Sequence, residues 1–263
     1  MVRVTLSRLG KDLDELSLAD IDLLSDIDEI HCLGRKATLD LAELLRIRRG
    51  DIILDIGCGI GGPARRLAIK FGCRVVGIDV TEGYVALALK LSQNMGFPSS
   101  MVGFRVGDGI DIPFRDETFD VVWIEVAASN ISQRDRLYGE IERVLKPGGR
   151  VGIFDILAGP GGEPHFPVPW GYDASTSALL SSAATEALLC HSGLKLVEER
   201  DVSEEAAIWF AEQVRLMCRA EGPPILGLHV LLPKWGIMSQ NQLRNLEEKR
   251  IFFRHLLIEK PAE

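Results

Sequence analysis

The stretch 53–62, ILDIGCGIGG, decides the fold: an apolar run of strand length passes through one acid, Asp55, into the glycines Gly57, Gly59, Gly61 and Gly62. A turn so poor in side chains at the carboxyl end of a strand lets the backbone approach a ligand and open a helix beneath it. From Asp51 to about Leu157, runs of strand length alternate with helix-length periodic segments. Strands are expected at 51–57, 74–80, 102–108, 119–126 and 150–157, and helices at 62–72, 82–96 and 135–146. Pro63 stands near the first helical position, where its missing N–H costs little, and Gly96 supplies a helix stop. The alternation predicts a doubly wound α/β fold around a parallel sheet.

After Leu157 the composition changes. AGPGGEPHFPVPWGYD (158–173) is dense in Pro and Gly and carries His165, Trp170 and Tyr172, which predicts a functional lid over a substrate. A helix at 177–193 and a strand at 194–202 resume the pattern. Helices then fill 203–250, interrupted by EGPPILGLHVLLPKWGIM, before a closing strand at 251–260.

A length of 263 residues with 46% hydrophobic content can bury a large core, and a net charge of −8 with no basic run argues against a nucleic-acid partner. The acidic stretch KDLDELSLADIDLLSDIDE reads as a solvated helix face. Five cysteines, an odd number with no CxxC pair, predict a reduced, cytoplasmic protein. His31-Cys32 and Cys190-His191 lack metal-ligand spacing, so no metal is expected. There is no apolar signal region, and no apolar run reaches about 18 residues, so a soluble protein without a membrane span is expected.

Gly57, Gly59 and Gly62 satisfy GxGxxG, a weak signal shared by nicotinamide, flavin and adenosyl-group enzymes. Asp55 discriminates among them, because a pyrophosphate gains nothing from an anion beside it whereas a cationic ligand does. S-adenosylmethionine carries both an ammonium and a sulfonium. Asp79, at the end of the second strand and followed by Val80, suits two ribose hydroxyls. Asp108, with Gly109 and Ile110 behind it at the end of the third strand, suits the adenine amino group.

LDIGCGIGGPARRLA, VVGIDVT, VGDGIDIPFRDETFDVVW and IERVLKPGGRVGIFD resemble, as a set, the successive motifs of the class I S-adenosylmethionine-dependent methyltransferases over about residues 28–202. DEIHCLGRKATLDLAELL, PVPWGYD, AAIWF, LGLHVLL and NLEEKRI are similar to a small-molecule branch that includes the sarcosine and dimethylglycine N-methyltransferases and the quinone and tocopherol methyltransferases. The resemblance implies a seven-stranded, Rossmann-like sheet whose last strand, 251–260, is antiparallel. It implies a single methyltransferase domain over 1–263, with a helical N-terminal cap (1–50), a cofactor-binding core (51–157), a lid loop (158–176), further core (177–202), a helical insertion (203–250) and a final strand and tail (251–263). The implied cofactor is S-adenosylmethionine, with S-adenosylhomocysteine as product. Gly57, Cys58, Gly59 and Gly61 are expected around it with Asp55, Asp79, Val80, Asp108, Gly109, Ile110 and Glu125. Relatives often carry Gln-His at the end of the fourth strand, whereas this chain has Glu125-Val126, which removes an imidazole and leaves an acid facing the sulfonium end.

Methyl transfer from a sulfonium is an in-line displacement that needs alignment, exclusion of water and a lone pair on the acceptor. A base is required for a hydroxyl acceptor and dispensable for a neutral amine. His31 is the candidate base, with Glu125 as the second catalytic group, and Arg35 is expected to hold the methionyl carboxylate. Asn130, Trp170 and Tyr172 are expected along the acceptor, with His229, in LGLHVLL, as a core residue first and a substrate contact second. The sequence leans to an amine acceptor. Oxygen or carbon methylation of a quinone-, phenol- or isoprenoid-like metabolite, a non-catalytic cofactor-binding module and a nicotinamide-dependent oxidoreductase stand as alternatives. The oligomeric state stays open, a homodimer being one option.

Overall fold

The computed structural model describes residues 2–219, 222–224 and 227–262. Its sheet is formed by β1 (Ile52–Ile56), β2 (Arg74–Asp79), β3 (Val102–Val106), β4 (Phe119–Glu125), β5 (Leu145–Ala158), β6 (Lys195–Asp201) and β7 (Ile251–Glu259). The spatial order is β3-β2-β1-β4-β5-β7-β6. The first five strands run parallel, and β7 lies antiparallel between β5 and β6. The order reverses between β1 and β4, so a crevice opens beyond their carboxyl ends.

Each face of the sheet is covered. Ile53, Val121 and Trp123 point to one side, against residues of α3 (Arg35–Leu44), α4 (Gly62–Phe71), α5 (Glu82–Asn94), α8 (Ser203–Met217) and α9 (Trp235–Glu247). Leu54, Ile56, Val122 and Ile124 point to the other, against α6 (Arg134–Val144) and α7 (Ser182–His191). This period-2 division is why β1 and β4 read as near-continuous apolar runs. Asp55 breaks the run on the first face, directly opposite Trp123 in register.

The expected boundaries shift in places. The third strand stops at Val106, because Asp108 leaves the ladder and accepts the Ile110 N–H in a turn. The helix expected at 177–193 starts at Ser182, with Ser181 as its cap accepting from Ala184 N–H. Within the segment taken for an interruption, α9 already begins at Trp235.

The N-terminal acids are not a solvated face throughout. Asp20, Asp28 and Glu29, around α1 (Val2–Arg8) and α2 (Ile21–Asp28), are all buried. Lys11 pairs with Asp20 at 2.6 Å. Arg65 of α4, wholly buried, pairs with Asp28 at 2.8 Å and donates to the Ile60 carbonyl at 2.9 Å and to Ser92 Oγ at 3.2 Å. One guanidinium thus ties α2, the glycine turn and α5 together. A Cβ on Gly62 would stand 2.3 Å from the Asp28 carbonyl oxygen, so α2 and α4 meet at backbone contact distance.

A buried pair stripped of one partner leaves an uncompensated charge. Asp28→Ala is therefore expected to cost about 3–5 kcal/mol in urea denaturation, and the double replacement Asp28→Leu with Arg65→Met to recover much of it. A single replacement costing under about 1 kcal/mol would show the pair to be solvated.

Candidate active site

A cavity of about 630 Å³ opens at the carboxyl ends of β1, β2 and β4. Gly57, Gly59, Asp79, Val80, Asp108, Gly109 and Ile110 line one half of it, and His31, Glu125, Asn130 and Trp170 line the other. Gly57 has φ +76, and a Cβ there would lie 2.4 Å from Ala127 Cβ, so only glycine lets the turn pass beneath the residues after β4. Asp79 accepts N–H groups of Gly59 at 3.0 Å and Thr81 at 2.8 Å, which fixes the glycine turn against the end of β2. Each of its oxygens keeps a further lone pair toward the cavity.

Several sequence-predicted residues lie elsewhere. Cys58 is buried under the turn beside Gly77, away from the cavity, and Gly61 faces Phe104 and Arg65. Tyr172 is exposed, with Lys234 5.1 Å above its ring. Arg35 and His229 line a second cavity of about 600 Å³, which shares His31 and Leu228 with the first. The Arg35 guanidinium is held there by Asp22 at 3.1 Å and Ser25 Oγ at 2.7 Å. Asn130 donates to the Trp170 carbonyl at 2.5 Å, and the indole N–H of Trp170 reaches Ser177 at 3.0 Å. The 158–173 loop is also pinned to α9. Asn241 donates to the Pro167 carbonyl, Asn245 exchanges two hydrogen bonds with the His165 backbone, and the His165 ring meets Glu248 at 2.8 Å. Trp170 is buried by this anchoring, which makes it a fixed wall.

The chemistry gathers where α2 leads into α3. His31 is buried, with Nδ1 3.1 Å from the Cys32 carbonyl and Nε2 3.5 Å from Glu125 Oε2. Burial first, against the pull of the Cys32 carbonyl and the nearby acids, holds its imidazole below its ordinary pKa. The Glu125 side chain is 4% exposed and accepts from the Trp123 indole at 3.0 Å and the Thr38 hydroxyl at 3.2 Å, all at Oε2. Its Oε1 has no partner. Burial raises this carboxyl to about 8. Asp55 lies behind the cavity lining, also with one orphan oxygen, and is pushed well above the carboxylate range by burial and by Glu125 and Asp79. Among the described residues neither acid has an ion-pair partner of the Lys or Arg type. Orphan oxygens on buried acids fit the positive groups of S-adenosylmethionine, and the exposed Val80 and the Asp108 turn leave room for its adenosyl half.

Beyond Glu125 the wall is apolar. Ile156, Phe210, Leu228, Leu232, Trp235 and Phe253 surround the space, with the buried amide of Gln242 among them. They come from β5, the segment before α9, and α8, α9 and β7. Of these, the sequence singles out Trp235, with Met217, Met238 and the nearby leucines, as core first and as an apolar acceptor pocket second, and it carries no signal for the Thr38–Glu125 contact. The AAIWF and IFF clusters were the available signals, and each is equally a core signal.

Residues 54–153 match the family described as "Methyltransferase domain". Methyltransferase GfsG of Streptomyces halstedii is 33% identical over 216 residues, covering 81% of this chain and 73% of that one. The 27-O-demethylrifamycin SV methyltransferase of Amycolatopsis mediterranei is 32% identical over 174 residues, covering 62% of this chain and 61% of that enzyme. Among solved structures, a Haemonchus contortus phosphoethanolamine N-methyltransferase 2 bound to phosphomonomethylethanolamine and S-adenosylhomocysteine superposes with a TM-score of 0.76 at 21% identity, over 99% of this chain and 60% of that one. This last likeness carries the fold alone. The extended match to a methyltransferase, the strand-end glycines and acids, and the sheet order lead to one conclusion: the chain belongs to the class I S-adenosylmethionine-dependent methyltransferases, with S-adenosylmethionine as its cofactor.

Proposed function

We propose that the acceptor is an apolar small molecule methylated on a hydroxyl oxygen, with Glu125 and His31 acting together as the base. The observation that carries this reading is the buried Glu125–His31 couple, which faces a chamber of aromatic and aliphatic side chains. S-adenosylmethionine, when bound, supplies an electrophilic methyl on a sulfonium. Asp55 and Glu125 offset the cofactor's positive charge, Asp79 accepts from the ribose, and the Asp108 turn meets the adenine. A hydroxyl must lose its proton as its oxygen gains the methyl, and Glu125, which lines the cavity, keeps its Oε1 without a partner. His31 Nε2 stands 3.5 Å from the other carboxyl oxygen. The sequence leans to an amine, which needs no such couple. The apolar wall and the 27-O-methylating name of one relative favour oxygen.

For the couple, His31→Ala is expected to lower kcat by ~10²–10⁴ and to shift the acidic limb of the pH profile, because the imidazole stands against the carboxyl that takes the proton. The assay is kcat against pH with an acceptor drawn from a panel of hydroxylated apolar metabolites and matched amines. A loss confined to a few-fold, with the limb intact, would return the reading to an amine and leave His31 an alignment role.

For the cofactor half, Asp79→Ala is expected to weaken S-adenosylhomocysteine binding by ~1.5–3 kcal/mol in calorimetry, since charge-assisted hydrogen bonds to the ribose are lost. Unchanged affinity would overturn the ribose role. Because Asp79 also holds Gly59, Asp79→Asn should lose less than Asp79→Ala.

The raised carboxyls set the pH dependence of the free protein. Glu125 titrates near 8 in the folded state against 4.5 ordinarily, and Glu29 near 7. Between these values the folded state binds more protons than the unfolded one, so stability falls as pH rises through the window from 4.5 to about 8. The Tm of the free protein should drop across that window, and Glu125→Gln should flatten the drop. Adding S-adenosylmethionine near neutral pH should release protons, read as a binding heat that changes with the ionisation enthalpy of the buffer. A binding heat indifferent to buffer would show the acids to be ionised beforehand.

A further inference from the structure

We propose that Thr38 and Glu29 form a proton exit that leads from the Glu125–His31 couple to the second cavity. The proposal rests on the base reading above. Thr38, on α3, is completely buried, and its Oγ1 lies 3.2 Å from Glu125 Oε2 and 3.2 Å from Glu29 Oε2, with His31 Nε2 at 3.4 Å. A hydroxyl has one proton and two lone pairs, so it can accept from one carboxyl while donating to the other. A helix-buried threonine placed equally between two acids has no need of both as packing partners. Glu125 lines the first cavity and Glu29 the second, and Thr38 sits between them.

The reaction creates the need for such a path. As the acceptor O–CH3 bond forms, the S–CH3 bond breaks with its electron pair left on sulfur, and the acceptor's O–H pair stays on oxygen while the proton goes to Glu125. With cofactor and acceptor both in place, the first cavity is filled on the side of Glu125 that faces them. A half-turn of the carboxyl exchanges its two oxygens and brings the protonated one to Thr38. Thr38 accepts that proton and passes its own to Glu29 Oε2, so one proton enters the relay and one leaves it. Glu29 releases it into the second cavity, and the couple is ready for the next cationic cofactor.

The groups around Glu29 suit a transient proton holder. Burial first, then the charges of Asp28 and Glu125, raise its carboxyl to about 7, against the opposing charges of His31 and Arg66. Arg66 Nε approaches Oε1 at 3.5 Å and Arg35 Nε at 4.0 Å, on the oxygen that Thr38 does not use. Asp22 and Asp26 line the same cavity farther out. The two carboxyls at the ends of the relay differ little in proton affinity, so transfer in either direction is nearly balanced.

The test uses the whole protein and S-adenosylmethionine itself as the probe. Stopped-flow mixing near neutral pH in weak buffer follows proton release with an indicator dye and cofactor binding by tryptophan fluorescence. In the wild type, release should track binding. Thr38→Val, which keeps the side-chain shape and removes the hydroxyl, should release the same number of protons with a lag of about tenfold or more behind binding. Thr38→Ser should restore the wild-type rate, and Glu29→Gln should lag as Thr38→Val does. Release that still tracks binding in Thr38→Val and Glu29→Gln would overturn the relay and leave the base reading standing. Release absent from the wild type would overturn the relay, which needs a protonated Glu125 to pass its proton on, and would leave the base reading, which an ionised Glu125 serves equally, to be decided by the His31→Ala pH profile. If Thr38→Val does not fold, the contrast between Glu29→Gln and the wild type decides the matter in the same way.

Discussion

Asp55 and Glu125 stand at the carboxyl ends of the adjoining strands β1 and β4, buried, with orphan oxygens and with no Lys or Arg paired to them among the described residues. An isolated buried carboxylate is costly enough that it normally takes a proton or finds a cation. The protein therefore carries a standing demand for positive charge at the switch point of its sheet. The glycine turn, the Asp79 anchor and the crevice shape all place a ligand where that demand can be met. A cationic ligand beside these two acids would remove a penalty that the free protein bears.

Arg65 protects that arrangement from behind. Its hydrogen bond to the Ile60 carbonyl holds the glycine turn, and its pairing with Asp28 holds the end of α2. Three residues beyond Asp28 stands His31, so the segment that carries the imidazole is fixed by the same guanidinium that fixes the cofactor turn. His31 and the glycine turn are thus two ends of one buried interaction. Disturbing α2 should be felt at both.

What could be read in the sequence was what depends on neighbours along the chain. The strands of the core, the glycine turn and the acids Asp55, Asp79 and Asp108 each show a local pattern, and the sheet places all three near the switch point. The acceptor wall was not legible, because Phe210, Leu228, Trp235 and Phe253 come from four separate segments and look like core residues in each. The acidic N-terminal stretch misled for the converse reason. Its charges suggest solvent, and only Lys11 at its own start and the distant Arg65 and Arg66 show why Asp20, Asp28 and Glu29 are buried. Arg35, expected at the methionyl carboxylate, stands instead at the second cavity, because Asp22 and Ser25, both N-terminal to it, hold its guanidinium there.

Val126 shows what the strand end gives up by carrying no imidazole. It sits at φ +49, a conformation that costs a β-branched residue about 1–3 kcal/mol, and its N–H is held by the Phe154 carbonyl at 2.7 Å. The strain is borne at the one position that turns the chain over the cavity directly after Glu125. The imidazole that does stand near Glu125 comes from a different part of the chain: His31 follows α2, and its Nε2 lies 3.5 Å from Glu125 Oε2. The strand end thus meets a histidine supplied by the N-terminal segment, so the surroundings of Glu125 depend on how α2 and α3 pack against the sheet.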